Sequence, residues 1–270
     1  MRTQGELAEL FKVLHQGETP LILPNVWDPL TAAMVADAGF PAIATASAAV
    51  ALSRGFDDGE RIPFDGLFEL VSRISAVVEV PVSVDFERGY GDTPQQVGDN
   101  TARLIDAGAV GVNIEDSVDH ETLRPVEEQC ERIAAVRTAG AELCVPIFIN
   151  ARTDVFMIGG DPQAAASSRL KAYVEAGADG VYPILCDDLD ILENVREATE
   201  RPINVLLRPS TPPLAALVDV GVGRISMGPG LLSIAAGATR EALEALAGGD
   251  LQLDTFARLT TAHMRRIQGI

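Results

Sequence analysis

A short β-prone segment followed by an amphipathic helical segment recurs eight times along this 270-residue chain, and that alternation constrains its fold more than any other feature. The strand candidates are Leu21–Pro24, Ala42–Ala46, Val82–Asp85, Gly111–Glu115, Ile147–Ala151, Gly180–Pro183, Ile203–Leu207 and Arg224–Ser226. Between them, apolar residues at i, i+3, i+4 spacing predict helices over Phe64–Val78, Thr93–Ala107, Val126–Thr138, Pro162–Ala176 and Asp188–Ala198. An Ala-Gly pair closes several of these helices at Gly39, Gly108 and Gly177, where glycine takes the left-handed conformation that turns the chain back into a sheet. Eight βα units of this length predict a (β/α)8 barrel of the TIM type, one domain spanning residues 1–270. The alternative is a doubly wound open sheet. That fold ordinarily carries a Gly-rich phosphate turn after its first strand, where this chain reads Pro24-Asn25-Val26-Trp27-Asp28. Glu6–Gln16 and Leu251–Ile267 fall outside the eight units and read as flanking helices that cap the barrel or pack on a neighbouring subunit.

A formal net charge of −18 excludes the basic stripe that nucleic-acid binding needs. No apolar run approaches the roughly 20 residues of a membrane span, and the N-terminal residues lack a signal-peptide core. Cys130, Cys144 and Cys186 are odd in number and without ligand spacing, which suits a reducing cytoplasm. The two lysines, Lys12 and Lys171, both sit in helical patterns, so no strand-end lysine is at hand for Schiff-base chemistry.

Barrel enzymes work at the C-terminal ends of their strands. The second strand leads to Thr45, Ser47, Ala48 and then Asp57-Asp58; the third ends Asp85-Phe86-Glu87, the fourth Glu115-Asp116, and the fifth is followed by Arg152-Thr153-Asp154. Asp85 and Glu87, at i and i+2, share one face of their strand. Acids on three consecutive strands opposed by Arg152 suit a divalent cation holding an anionic oxygen substrate. The absence of His or Cys at any strand end favours Mg²⁺ or Mn²⁺ over zinc. Each residue also has a plainer reading. Asp58 would serve as a helix cap, Asp154 as a turn former, Asp116 as partner to a helix arginine, Arg152 as a clamp inside the barrel, and Cys130 as helix packing. His120, five residues past Glu115, reads as a solvated loop residue or a proton carrier. His15 and His263 read as surface or interface residues on the flanking helices.

Six phrases, in this order, resemble the isocitrate lyase/phosphoenolpyruvate mutase superfamily: Pro24–Asp28, Ala44–Ala51, Asp85-Phe-Glu-Arg-Gly-Tyr-Gly91, Asn113-Ile-Glu-Asp116, Asn150-Ala-Arg-Thr-Asp154 and Ala176–Asp179. The resemblance implies a modified (β/α)8 barrel whose C-terminal helix swaps between subunits to form dimers or tetramers, a role for 251–267. It implies Asp85 as the direct Mg²⁺ ligand, with Asp58, Glu87 and Glu115 holding the metal through its waters. Arg152 would grip a substrate carboxylate, and the loop Thr45–Ala48 would cradle the oxo end. On this basis the catalytic candidates are Asp58, Arg152 and His120, and the metal ligands Asp85, Glu87 and Glu115. The substrate-binding candidates are Thr45, Ser47, Ala48, Arg152 and Arg208.

The chain departs from the resemblance where protons are handled. The lyase branch places Lys-(Lys/Arg)-Cys-Gly-His after the fourth strand, and this chain reads Ser117-Val-Asp-His120-Glu-Thr-Leu-Arg-Pro125. The lysine and asparagine of the mutase branch are also absent there. Tyr182-Pro183-Ile184 stands where lyases carry a glutamate, Ala46 precedes Ser47 where the family serine is expected, and Leu206-Leu207-Arg208 replaces a polar segment. The expected activity is therefore Mg²⁺-dependent C–C cleavage or decarboxylation of a small 2-oxo or 2-hydroxy carboxylate through an enolate. P–C chemistry, as a phosphonomutase or phosphonopyruvate hydrolase with Arg208 serving a phosphoryl group, is the second expectation. A catalytically silent metabolite-binding barrel is the third.

Overall fold

The computed structural model describes residues 2–119, 121–159, 162–252 and 256–270, without the side chains of 162–164. Its strands are β1 (Leu21–Leu23), β2 (Asn25–Val26), β3 (Ile43–Thr45), β4 (Val82–Asp85), β5 (Gly111–Glu115), β6 (Phe148–Thr153), β7 (Gly180–Pro183), β8 (Ile203–Leu206) and β9 (Val222–Ser226). All pair in parallel, in the order β1-β9-β8-β7-β6-β5-β4-β3-β2. The two ends of that order are consecutive in the chain, so the sheet wraps into a barrel with eight strand positions.

Pro24 explains the extra strand. It has no N–H to give a ladder and interrupts the predicted Leu21–Pro24 strand. Leu21–Leu23 then pairs with β9, and Asn25–Val26 with β3. The Asn25 side chain fastens the closure: Nδ2 donates to the Thr45 carbonyl at 2.7 Å, and Oδ1 accepts from the amides of Met227 (2.7 Å) and Gly228 (3.0 Å).

The helices are α1 (Gln4–Leu14), α2 (Pro29–Asp37), α3 (Ser47–Ser53), α4 (Phe64–Ser75), α5 (Pro94–Asp106), α6 (Val126–Glu142), α7 (Val155–Ile158), α8 (Pro162–Glu175), α9 (Leu189–Thr199), α10 (Leu214–Val220), α11 (Gly230–Ala247) and α12 (Thr261–Ile267). Capping boxes at Thr3, Asp28 and Thr93 start three of them. Gly108 follows α5 at φ +103°, and a Cβ there would lie 2.6 Å from Ser75, so both torsion and space demand glycine. Helix α1 lies across the base of the barrel. Gln4 donates to the carbonyls of Ile105 and Ala109, and Phe11 and His15 pack against Phe148 at the start of β6.

The tail differs from the single helix predicted over Leu251–Ile267. Leu251, Gln252 and 256–260 are non-helical, 253–255 lie outside the described residues, and the helix begins only at Thr261, with the Thr260 hydroxyl as its cap. A cap residue competes with continuation of a helix through it, which an apolar spacing does not reveal. Helix α12 returns to α2, where Arg266 and His263 both meet Asp37. By contrast α11 has no buried residue, and Ile234 and Leu243 on it are 65% and 59% exposed. No helix among the described residues is long and apolar enough to cross a membrane.

Candidate active site

The C-terminal rim holds the polar residues. At the end of β4 the Asp85 amide donates to Thr45 Oγ1 at 2.9 Å, and Asp85 Oδ2 accepts from the Ser47 amide at 2.9 Å. Asp85 Oδ1 is buried without a hydrogen-bond partner. Such a charged oxygen is expensive to leave unpaired in a protein interior. Thr45 itself is buried and spends its hydroxyl on the Asp85 backbone.

The chain after Asp85 turns sharply through Glu87 (φ +50°), Gly89 (φ +98°) and Tyr90 (φ +53°). Non-glycine residues in this region are strained and persist where the surroundings over-determine them. Glu60 does much of that: its carboxylate accepts from the amides of Arg88 and Tyr90 and pairs with the Arg88 guanidinium at 3.2 Å. Arg132, buried in α6, donates to the carbonyls of Arg88, Gly91 and Asp92. Glu87 is held by the Tyr90 hydroxyl at 2.7 Å and the Glu60 amide. Burial pushes its carboxyl up to about 7, the Tyr90 bond offsets part of this, and the charges of Asp85 and Asp58 add to the rise.

Beside it, Arg152 at the end of β6 donates to Glu115 (2.8 Å) and to both oxygens of Asp154. Burial opposes the charge of Arg152, but Glu115 and Asp154 outweigh it and hold the guanidinium firmly protonated. Burial raises Glu115, partly offset by Arg152, with Asp154, Asp85 and Glu87 pushing the same way. Ser117 donates to the second Glu115 oxygen. Below them Asp116, fully buried, accepts from the Thr153 hydroxyl, the Asp154 amide, Arg169 and Tyr173. It anchors the two loops rather than facing a ligand.

Asp58, Asp85, Ser47, Ala48 and Arg152 line one cavity of about 170 Å³, together with Asn113, Tyr182 and Ser226 at its floor and wall. This is smaller than the roughly 300–1,000 Å³ of pockets for drug-sized ligands and suits a small molecule. Five predicted residues thus meet at one place. Glu87 and Glu115 stand behind them, with their carboxylates engaged as described. Arg208 goes elsewhere: it bonds Asp187 and the Leu185 carbonyl, so a neighbouring acid neutralises it outside the cavity lining. His120 lies outside the described residues. Glu60 and Arg132, which hold the turn, escape sequence reading because their partners lie some 30 and 40 positions away.

Among the described residues no three His, Cys, Asp or Glu close into an all-protein metal cage. Mg²⁺ does not require one, since it keeps several waters and commonly takes one or two carboxylates. The unpartnered Asp85 Oδ1, a donor set of hard oxygens, and a Glu87 carboxyl raised by burial and by its acidic neighbours fit such a cation, which Asp85 would hold directly and Asp58, Glu87 and Glu115 through its waters.

A closed parallel barrel with an acid-and-arginine cavity at its C-terminal rim defines an α/β-barrel protein of the TIM type. The chain belongs to the phosphoenolpyruvate phosphomutase family, whose sequence model matches residues 11–247, within the isocitrate lyase/phosphoenolpyruvate mutase superfamily. It is 34% identical over 241 residues to the uncharacterized protein Rv1998c of Mycobacterium tuberculosis, covering 89% of this chain and 90% of that one. It is 30% identical over 200 residues to the 2-methylisocitrate lyase of Escherichia coli K12, covering 72% and 67%. A protein of Burkholderia cenocepacia J2315, provisionally described as a phosphonomutase, superposes with a TM-score of 0.82 at 42% identity, covering 88% and 98%.

Proposed function

We propose that this protein is a Mg²⁺-dependent, cytoplasmic enzyme that breaks a C–C bond in a small 2-oxo or 2-hydroxy carboxylate, as a lyase or decarboxylase, through an enolate. The observation that carries this reading is the buried, unpartnered Asp85 Oδ1 facing Arg152 across a small cavity. Arg152 spends three of its five N–H groups on Glu115 and Asp154. One further N–H on Nη1 is left to bind a carboxylate, and bidentate binding would also use the Nη2 N–H that now lies 3.6 Å from Met157 Sδ. Glu115 and Asp154 fix the plane of that fork. The start of α3, at Ser47 and Ala48, would meet the oxo end. A bound Mg²⁺ would supply Lewis-acid stabilisation of the developing oxyanion, worth several kcal/mol.

The test is incubation with Mg²⁺ and oxaloacetate, methylisocitrate, dimethylmalate or phosphonopyruvate, following pyruvate and phosphate. Pyruvate without phosphate, lost on chelation, is the expected result. Phosphate release from phosphonopyruvate would favour P–C chemistry instead, the reading supported by the likeness to the Burkholderia protein. A panel left unchanged would sink both.

The exposed apolar side chains of α11 support a second part of the proposal, that a second copy covers this helix in a dimer or tetramer. Ile234→Glu should lower the mass seen by sedimentation; a wild-type protein sedimenting as a monomer would overturn it.

A further inference from the structure

The loop that carries proton-handling groups in relatives of the lyase type has neither cysteine nor lysine here, yet the cavity wall holds another acid. Tyr182, on β7, is level with Arg152 on β6 and is 4% exposed, and it lines the same cavity as Asp85 and Ser47. Ser226, which also lines the cavity, lies close enough to favour the phenolate form of Tyr182. Asn204 Nδ2 donates to Ser226 Oγ at 3.2 Å, which leaves the serine proton for the phenol oxygen. A serine proton offered to the phenol oxygen would turn the phenol proton away from Ser226. Beneath this layer lies Arg224, 1% exposed, with Nε and Nη1 unpartnered and Nη2 bonded only to the neutral Asn113 Oδ1. Among the described residues no acid forms a salt bridge with it, and Asp85 offsets its buried charge only from a distance. Such a charge favours any group nearby that becomes negative.

Resting on the reading above, we propose that Tyr182 is the proton donor to the enolate carbon, oriented by Ser226 and backed by Arg152 and Arg224. The electron pair of the enolate forms a C–H bond with the phenol proton as the O–H bond breaks. The negative charge passes to the phenol oxygen, between two guanidinium groups and a serine donor. A proton from water restores the phenol once product leaves. Burial pushes the free phenol up to about 12, with Arg152, Ser226 and Arg224 all working against that rise. The group is therefore a neutral acid at neutral pH and its conjugate base has three stabilising partners.

The experiment separates binding from proton transfer. Oxalate, a planar dianion shaped like the pyruvate enolate, is titrated calorimetrically with and without Mg²⁺, and exchange of pyruvate methyl protons into D₂O is followed by NMR. Tyr182→Phe, which keeps the ring in place, should bind oxalate within about twofold of wild type while exchange slows by about a hundredfold or more. Ser226→Ala should slow exchange less, by about tenfold. His120→Asn should leave exchange near wild type. Exchange that survives Tyr182→Phe, or that is lost in His120→Asn instead, would overturn the assignment while leaving the proposed function standing. Wild-type protein that binds oxalate but never exchanges pyruvate would also overturn it. Absence of Mg²⁺-dependent oxalate binding in wild type would sink the proposed function and this assignment together.

Discussion

The two ends of the barrel are built from the same strands and do opposite things. Strand β6 begins at Phe148, which stacks on His15 at 4.0 Å and meets Phe11 edge-on at 5.4 Å, and it ends at Arg152 and Thr153 among four acids. Strand β5 begins at Gly111, where a Cβ would lie 2.7 Å from the Phe11 ring, and ends at Glu115. At the base, side chains interlock and stability comes from packing. At the rim, like charges crowd, non-glycine residues adopt left-handed torsions, and Asp85 Oδ1 is buried without a hydrogen-bond partner. Rim polarity of this kind is a liability for folding and an asset for binding a cation and an anion together.

The difference predicts how each end breaks. Asp85→Ala should reduce turnover and Mg²⁺-dependent ligand affinity by on the order of a thousandfold, since it would remove the proposed direct ligand. Its melting temperature should change little, because the carboxylate stabilises no fold contact beyond the Ser47 amide. A variant that keeps its rate would remove Asp85 from the site, and one that unfolds would erase the contrast between the ends. At the base, Phe11→Ala should cost about 3–5 kcal/mol and lower the melting temperature by on the order of 10 °C. Rates measured well below that temperature should stay near wild type. A large loss of kcat at 25 °C would mean that the ends are coupled.

Much of the base and the barrel was legible before any coordinates. All eight strand candidates occur, because a parallel strand buried on both faces reads as an apolar run bounded by turn residues. The misreadings have local causes. Pro24 split the first strand in two. The last strand starts at Val222 rather than Arg224, since Gly223, which resembles a turn residue, is there for space: a Cβ would lie 2.5 Å from Pro202. At the rim, Asp85 and Arg152 could be placed together because strand ends converge by topology, and Asp58, in the loop after the second strand, joined them through the family resemblance. The pairing of Arg208 with Asp187 could not, because it depends on where two loops fold rather than on where strands end. Nor could the Tyr182–Ser226 contact, formed by residues 44 positions apart on strands that are not neighbours.

His15 gives a subtler test of the base. Its Nδ1 lies 2.7 Å from the Phe11 carbonyl and so carries the proton of the neutral ring, while Nε2 is buried without a partner. Burial depresses its pKa to about 3; the nearby Arg224 charge adds to this and the Phe11 bond opposes it. Below the ordinary histidine value of about 6.5 the unfolded chain therefore binds a proton that the folded chain refuses. Stability should fall as pH drops from about 6.5 toward 3, by roughly 1.4 kcal/mol per pH unit from this group, and be fully present above 6.5. His15→Phe keeps the ring stack without the titration. Carboxylates act on both proteins alike, so urea unfolding should show the variant gaining roughly 2–3 kcal/mol relative to wild type between pH 7 and 4.5. Parallel pH profiles would mean that His15 is protonated within the fold.

The smallest expected effect concerns Arg208, a rim residue by sequence that the structure leaves outside the cavity. Its charge is answered by Asp187, and both are partly exposed, so Arg208→Gln should cost no more than about 1 kcal/mol. Ser210 also donates to Asp187, which keeps that carboxylate from being stranded. Pyruvate formation from a C–C substrate should therefore stay within about twofold of wild type, in contrast to loss at Arg152, where two buried acids would be left without their cation. If Arg208→Gln instead abolishes phosphate release from phosphonopyruvate, the arginine must leave Asp187 to meet a phosphoryl group. The rim would then extend further than the cavity does, and P–C chemistry would replace C–C cleavage as the better account of the site.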